Sequence, residues 1–289
     1  MKNKLVAILS IILCFSFASC KQTPKVEENQ GGDALSSKQA AAQEVEQVYI
    51  VGTMSDNGCN IELALQMPND GFYSCAGYVL YPESEPTLVV GISDKYFGDD
   101  GGECYNNISL TEYQADGTVS GRFLIHLIEA EDSNSFTFED AERTYIQADE
   151  EDQTAPIIDV RICSTQMPEW FPESPFIPAK YEDIATDYGY YLRGPDAYGE
   201  VQIKKLGDGK LSFIADESRE DYTASTLVCE EERPAELVDN VFEYPNVNKC
   251  GYTLTARFYK KFMVLSTRQE APSSEPHCPY INAAFIKRK

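Results

Sequence analysis

Short runs in which apolar and polar side chains alternate begin at Val48 and recur along most of the chain that follows. Val48, Ile50 and Gly52 alternate with Tyr49 and Val51, and Ile61, Leu63 and Leu65 repeat the pattern. A period of two sends successive side chains to opposite faces of an extended strand, so these runs predict half-buried β-strands. Asn69-Asp70-Gly71 is a turn signal, and residues 72–81 alternate again after it. Residues 87–92 are apolar and β-branched. Residues 119–128 give the clearest strand, with Phe123, Ile125 and Leu127 on one face and Leu124, His126 and Ile128 on the other. Shorter strands are predicted over 136–138, 144–147 and 156–162. No long helical period interrupts this succession, which argues for an all-β sandwich or barrel; a β-sandwich domain is the expectation over 47–165.

Residues 166–181 break the pattern. Pro168, Pro172, Pro175 and Pro178 exclude a helix and a central strand. The segment reads as a connector whose Trp170, Phe171 and Phe176 pack between domains; a ligand platform built on Trp170 is the functional alternative. Strand signals resume over 188–194, 200–206 and 210–215, the last two joined by the turn Gly207-Asp208-Gly209. They continue over 223–230, 241–244, 250–259, 261–267 and 281–286. About eight strands in so short a stretch suffice to close a small antiparallel β-barrel, expected over 182–289.

The chain ahead of these strands has a different character. Lys2 and Lys4 precede an apolar run over 5–17, and the small residues Ala18 and Ser19 then lead to Cys20. This three-part order is that of a secretory signal, over 1–19, and its apolar run falls short of the roughly 20 residues that span a bilayer. Phe17-Ala18-Ser19-Cys20 resembles the lipobox of bacterial lipoproteins. That resemblance implies lipidation of Cys20 and a lipid-anchored place in the cell envelope, at the outer membrane. Residues 20–46 hold no aromatic side chain and cannot bury enough apolar surface to order themselves; they read as a flexible tether reaching roughly 30 Å.

Charge narrows the partners. The chain carries 47 acidic against 24 Lys and Arg side chains, a net charge of −23. Such a surface repels nucleic acid and anionic lipid headgroups and suits a basic partner or a cation. Seven cysteines follow Cys20, at 59, 75, 104, 163, 229, 250 and 278. In an exported protein disulfides are the default, and the odd count leaves at least one thiol over. The expected pairs are Cys250 with Cys278 and Cys59 with Cys75, each worth roughly 3 kcal/mol through loop closure. Zinc is disfavoured, because no CxxC is present and only His126 and His277 add imidazoles.

Two further resemblances concern the exported part. Tyr188-Gly189-Tyr190-Tyr191-Leu192-Arg193-Gly194, the hairpin over 200–213, Cys250 in a late strand and Cys278 before a closing strand that ends in Lys287-Arg288-Lys289 resemble, in their order, small lysozyme-inhibitor-type β-barrel lipoprotein domains. This resemblance implies a basic protein such as lysozyme as partner. Val48-Tyr49-Ile50-Val51-Gly52, Asp70-Gly71-Phe72-Tyr73-Ser74 and Tyr96-Phe97-Gly98-Asp99-Asp100-Gly101-Gly102 resemble the carbohydrate-binding sandwich modules of starch-utilisation lipoproteins. That resemblance implies stacking on a glycan, for which Tyr96, Phe97, Tyr105 and Trp170 are the candidates. Asp99, Asp100 and Glu103 are candidate calcium ligands by their oxygens, although the EF-hand spacing is absent. GxSxG, HExxH, Walker and GxGxxG motifs are missing, and the many carboxylates define no particular pair. The expected function is a non-catalytic envelope binding protein without a cofactor, with a structural envelope role as the plainest alternative.

Overall fold

The computed structural model describes residues 45–68, 74–97, 104–129, 136–146, 152–164, 166–193, 197–218, 224–231, 234–247, 251–269, 281 and 283–288. The first strands are β1 (Val45–Met54), β2 (Asn60–Pro68), β3 (Ser74–Leu80), β4 (Thr87–Phe97), β5 (Cys104–Tyr113), β6 (Val119–Glu129), β7 (Phe136–Tyr145) and β8 (Gln153–Ser164). Each pairs antiparallel with its chain neighbour, and β8 returns to β1 to close a barrel.

A closed barrel therefore stands where a sandwich was expected. A sandwich needs the hydrogen-bonded ladder to stop and strands to cross between two sheets. Here the ladder runs on from β1 to β8, and strand twist accumulates until the edges meet. Two glycines sharpen the curl. A Cβ at Gly77 would stand 1.9 Å from the Ala64 carbonyl oxygen, and one at Gly91 1.8 Å from that of Ser109. No side chain fits there, so neighbouring backbones approach and the sheet bends. At the closing seam the β1–β8 register shifts twice, and Asp159 takes a left-handed φ of 54°, as a bulge requires. The alternation read in the sequence sets the interior. Val48, Ile50, Leu63, Leu65, Val79, Val89, Ile108, Leu110, Phe123, Ile125 and Leu127 form one buried cluster. His126 points outward, partly exposed, opposite Asp140.

The remaining strands are β9 (Asp187–Arg193), β10 (Ala197–Gly207), β11 (Lys210–Ser218), β12 (Ala224–Cys229), β13 (Ala235–Val238), β14 (Val241–Val247), β15 (Tyr252–Phe258), β16 (Phe262–Gln269) and β17 (Ala283–Lys287). They form the expected second barrel. β9 pairs with both β10 and β17, and β11 pairs with β10 on one edge and with β12 and β13 on the other. The β10–β11 hairpin turns on Asp208 and Gly209, both with positive φ, 49° and 74°. Its interior is aromatic: Tyr188, Phe213, Phe242, Phe258 and Phe285 are all buried in one cluster.

The proline-rich connector is a strap against both barrels. Trp170 donates its Nε1 hydrogen to Glu62 on β2 at 2.6 Å, and Ser174 Oγ lies 2.7 Å from Oε1 of Gln66. Phe171 meets Tyr78 of the first barrel edge to face at 5.3 Å. Phe176 packs on Tyr259 and Phe262 of the second at 5.0 and 5.5 Å. The Ala179 N–H then bonds the Phe258 carbonyl, and the Lys260 N–H bonds that of Ile177. Between the barrels Ala76, Val90 and Tyr113 are buried in one cluster with Tyr259, Phe262, Val264 and Ile286.

The cysteines need a correction. Cys59 and Cys75 are separate thiols. Gln66 of β2 is level with Ala76, beside Cys75, while Cys59 precedes the other end of β2. About seven residues of strand, roughly 23 Å, lie between those levels. A disulfide needs Cα atoms roughly 4.4–6.8 Å apart. Cys163 and Cys229 are also free. Cys20, Cys250 and Cys278 lie outside the described residues.

Candidate functional site

Each barrel holds a cluster of buried side chains, and a buried ion pair lies at one end of the first. Glu112 and Arg143 are 1% and 6% exposed. Arg143 donates to one Glu112 oxygen from Nε at 3.1 Å and from a terminal nitrogen at 2.7 Å, and the Tyr81 hydroxyl donates to the same oxygen at 2.9 Å. The guanidinium also lies 4.2 Å from the centre of the Tyr145 ring, a cation–π contact. Burial works against its charge, but Tyr81 and Glu112 outweigh burial and hold its pKa above the usual value. A Cβ on Gly121 would stand 2.8 Å from Arg143, so the guanidinium packs directly against the β6 backbone there.

Space opens instead outside the same end of that barrel, where it meets the second. A cleft of about 700 Å³ is walled by the start of β4 (Thr87, Leu88), the end of β5 (Tyr113), the β15–β16 turn (Lys260, Lys261) and the end of β17 (Ile286, Lys287). Leu88 and Ile286 belong to the interbarrel cluster and give the cleft an apolar floor. Burial raises the pKa of Tyr113, so its phenol stays neutral near physiological pH. The rim is cationic. Lys261 Nζ donates to the Tyr78 hydroxyl at 3.2 Å and stands 3.8 Å from Glu173. Lys287 Nζ donates to the Asp183 carbonyl at 2.8 Å, and Arg288 stands 3.7 and 3.8 Å from Asp187 and Glu200.

The residues singled out from the sequence lie elsewhere. Tyr96 pairs with Tyr105 and Phe97 with Cys104 at the far end of the β4–β5 ladder. Roughly eight residues, some 27 Å, separate that end from the Leu88–Tyr113 pair at the cleft. Trp170 lies against the first barrel, its N–H taken by Glu62 and its ring 6.4 Å from Tyr49. Asp99, Asp100 and Glu103 fall outside the described residues. Among the described residues no cluster of His, Cys, Asp and Glu could hold a metal ion. The cleft cations were missed because Lys260, Lys261 and Lys287 are ordinary strand-end residues until the fold joins them. Their one signal was two basic pairs, Lys260-Lys261 and Lys287-Arg288, in an acidic chain.

The Tyr49–Glu62–Trp170 group supplies a pH test. Burial, then the hydrogen bond and charge of Glu62, push the Tyr49 pKa from 10.0 to about 12. A folded-state pKa above the unfolded one favours folding fully below pH 10 and loses that contribution as pH rises through 12. Stability should therefore fall over this window less steeply in Tyr49→Phe than in the wild type. Denaturant midpoints at the two ends of the window check it; parallel losses in both proteins would refute the assignment.

Comparison with protein-family models, curated proteins and solved structures returns no match, so the cleft is read from its own geometry.

Proposed function

We propose that this is a non-catalytic binding protein of the cell envelope, tethered through Cys20, and that the cleft between its barrels is its binding site. One observation carries the reading. Among the described residues, a cleft of about 700 Å³ joins an apolar floor to a few polar groups. That size and lining suit a small organic ligand. Both barrels contribute walls, and the packed seam beneath holds those walls in one arrangement.

Thr87 is a partly exposed wall residue, so Thr87→Trp places an indole in the space. Native mass spectrometry of the full-length protein from its own envelope should show a small-molecule adduct that denaturation releases. The Thr87→Trp protein should lack it. Bare protein in both samples would remove small-molecule binding as the function.

The excess of 47 acidic over 24 basic side chains supports a second reading, a basic protein such as lysozyme held on the outer surface. The full-length protein would then inhibit lysozyme at near-stoichiometric amounts and lose the effect in high salt. Full lysozyme activity at a large excess of the protein rules this reading out for the lysozyme tested.

A further inference from the structure

We infer that the cleft takes an organic anion with an apolar body, its carboxylate or phosphate head at Lys260 and Lys261 and its body against Leu88, Pro86 and Ile286. The inference rests on the cleft being the binding site and adds the class of ligand.

Charge is the first argument. The chain has about two acids for every base, yet the cleft reverses the ratio: Lys260, Lys261, Lys287 and Arg288 line it against Glu85 alone. Glu173 beside Lys261, and Asp187 and Glu200 beside Arg288, offset part of that charge, and an anion seated at Lys260 and Lys261 matches the remainder. A metal ion or an organic cation would meet the lysines with like charge. A neutral sugar could accept hydrogen bonds from the ammonium groups but would leave their charge unmatched.

The four cations do different work. Lys287 is tied to the Asp183 carbonyl, and Arg288 lies between Asp187 and Glu200. Lys287, bonded to a neutral carbonyl, keeps its positive potential at the cleft wall, whereas the two carboxylates offset that of Arg288. Lys260 and Lys261 are exposed on the β15–β16 turn. The contacts of Lys261, to the Tyr78 hydroxyl and to Glu173 at 3.8 Å, can yield to a stronger anionic partner.

The base that presents them is rigid. The Tyr259 N–H bonds the Phe262 carbonyl across the turn, the Lys260 N–H bonds Ile177 of the strap, and the Lys261 carbonyl accepts from the Lys287 N–H. Tyr259 and Phe262 on either side are 4% and 0% exposed. So fixed a turn spares the backbone any further ordering when an anionic head binds, and only the two lysine side chains remain to be ordered. The apolar floor beside them takes a hydrocarbon or ring, which a bare inorganic anion does not supply. A soluble amphiphile and the head region of an anionic lipid share this chemistry.

The test uses the full-length protein and the dye anilinonaphthalene sulfonate, whose sulfonate and rings imitate head and body. Decanoate and decyl phosphate should displace the dye; decanol and inorganic phosphate should not. The double variant Lys260→Glu/Lys261→Glu should bind dye and decanoate at least about tenfold more weakly, with an unchanged unfolding midpoint. Lys260→Gln, a milder change at an exposed position, should weaken both in the same direction. Displacement by anionic phospholipid vesicles as well would assign a lipid head as the source, and displacement by monomers alone a soluble amphiphile. If decanol competes as well as decanoate and the charge variants bind like wild type, the anion class is wrong while the cleft remains the site. Dye and decanoate binding untouched by Thr87→Trp would remove both.

Discussion

Glu112→Ala should lower the unfolding free energy by about 3–5 kcal/mol, the cost of breaking a buried ion pair from one side. Glu112 and Arg143 are almost wholly out of solvent, and removing the carboxylate strands a guanidinium that cannot reach water without opening the barrel end. The Tyr81 hydroxyl loses its acceptor in the same step. Arg143→Ala should cost a similar amount for the mirror reason. The pair itself is a different matter, because desolvating two charges offsets most of their attraction. Glu112→Leu with Arg143→Met should therefore recover most of the stability that either alanine variant loses. Guanidinium unfolding of the three variants, followed by strand circular dichroism, measures this. A loss below about 1 kcal/mol in Glu112→Ala would mean that water or a neighbour reaches the stranded charge.

Phe262→Ala should cost about 3–5 kcal/mol, as expected for a large side chain removed from a packed core. Phe262 is 0% exposed and lies 4.8 Å from the Tyr259 ring and 5.5 Å from that of Phe176, where strap, first barrel and second barrel meet. The damage should fall on the coupling of the barrels more than on either alone. Trp170, the one tryptophan of the chain, is bonded to the first barrel, so its fluorescence follows that barrel. In the wild type it should change together with strand circular dichroism in one transition. In Phe262→Ala the two signals should separate, because the seam no longer enforces joint unfolding. Dye binding at the cleft should weaken in parallel, since its walls come from both sides of that seam. Coincident transitions at wild-type stability would show that the barrels are held together by other means.

Much of the fold was legible because strand alternation is local. Val48 with Ile50, and Phe123 with Ile125 and Leu127, announce their buried face by period alone, and the structure buries those residues. The β10–β11 turn was equally legible, since Asp208 and Gly209 tolerate the positive φ that a tight hairpin demands. The sandwich expectation failed because alternation is the same in a sandwich wall and a barrel wall. The difference lies in whether β8 finds β1, decided by summed twist, the bends at Gly77 and Gly91 and the bulge at Asp159. The Cys59–Cys75 expectation failed for a related reason: two cysteines near in sequence lie at opposite levels of one antiparallel ladder.

The candidate site was hardly legible at all. Aromatic and acidic residues near Tyr96 cluster in sequence, whereas the cleft gathers residues separated by as many as 210 positions, from Tyr78 to Arg288. By itself the sequence determined an all-β chain, a proline-rich break between its strand runs and the inward faces of its best strands, since each follows from backbone preferences over a few neighbouring residues. Only the tertiary structure decided that the first domain closes into a barrel, that Glu112 meets Arg143, and that two basic pairs converge on an apolar floor. These depend on register and closure between distant strands, where a shift of one residue would turn every side chain to the other face.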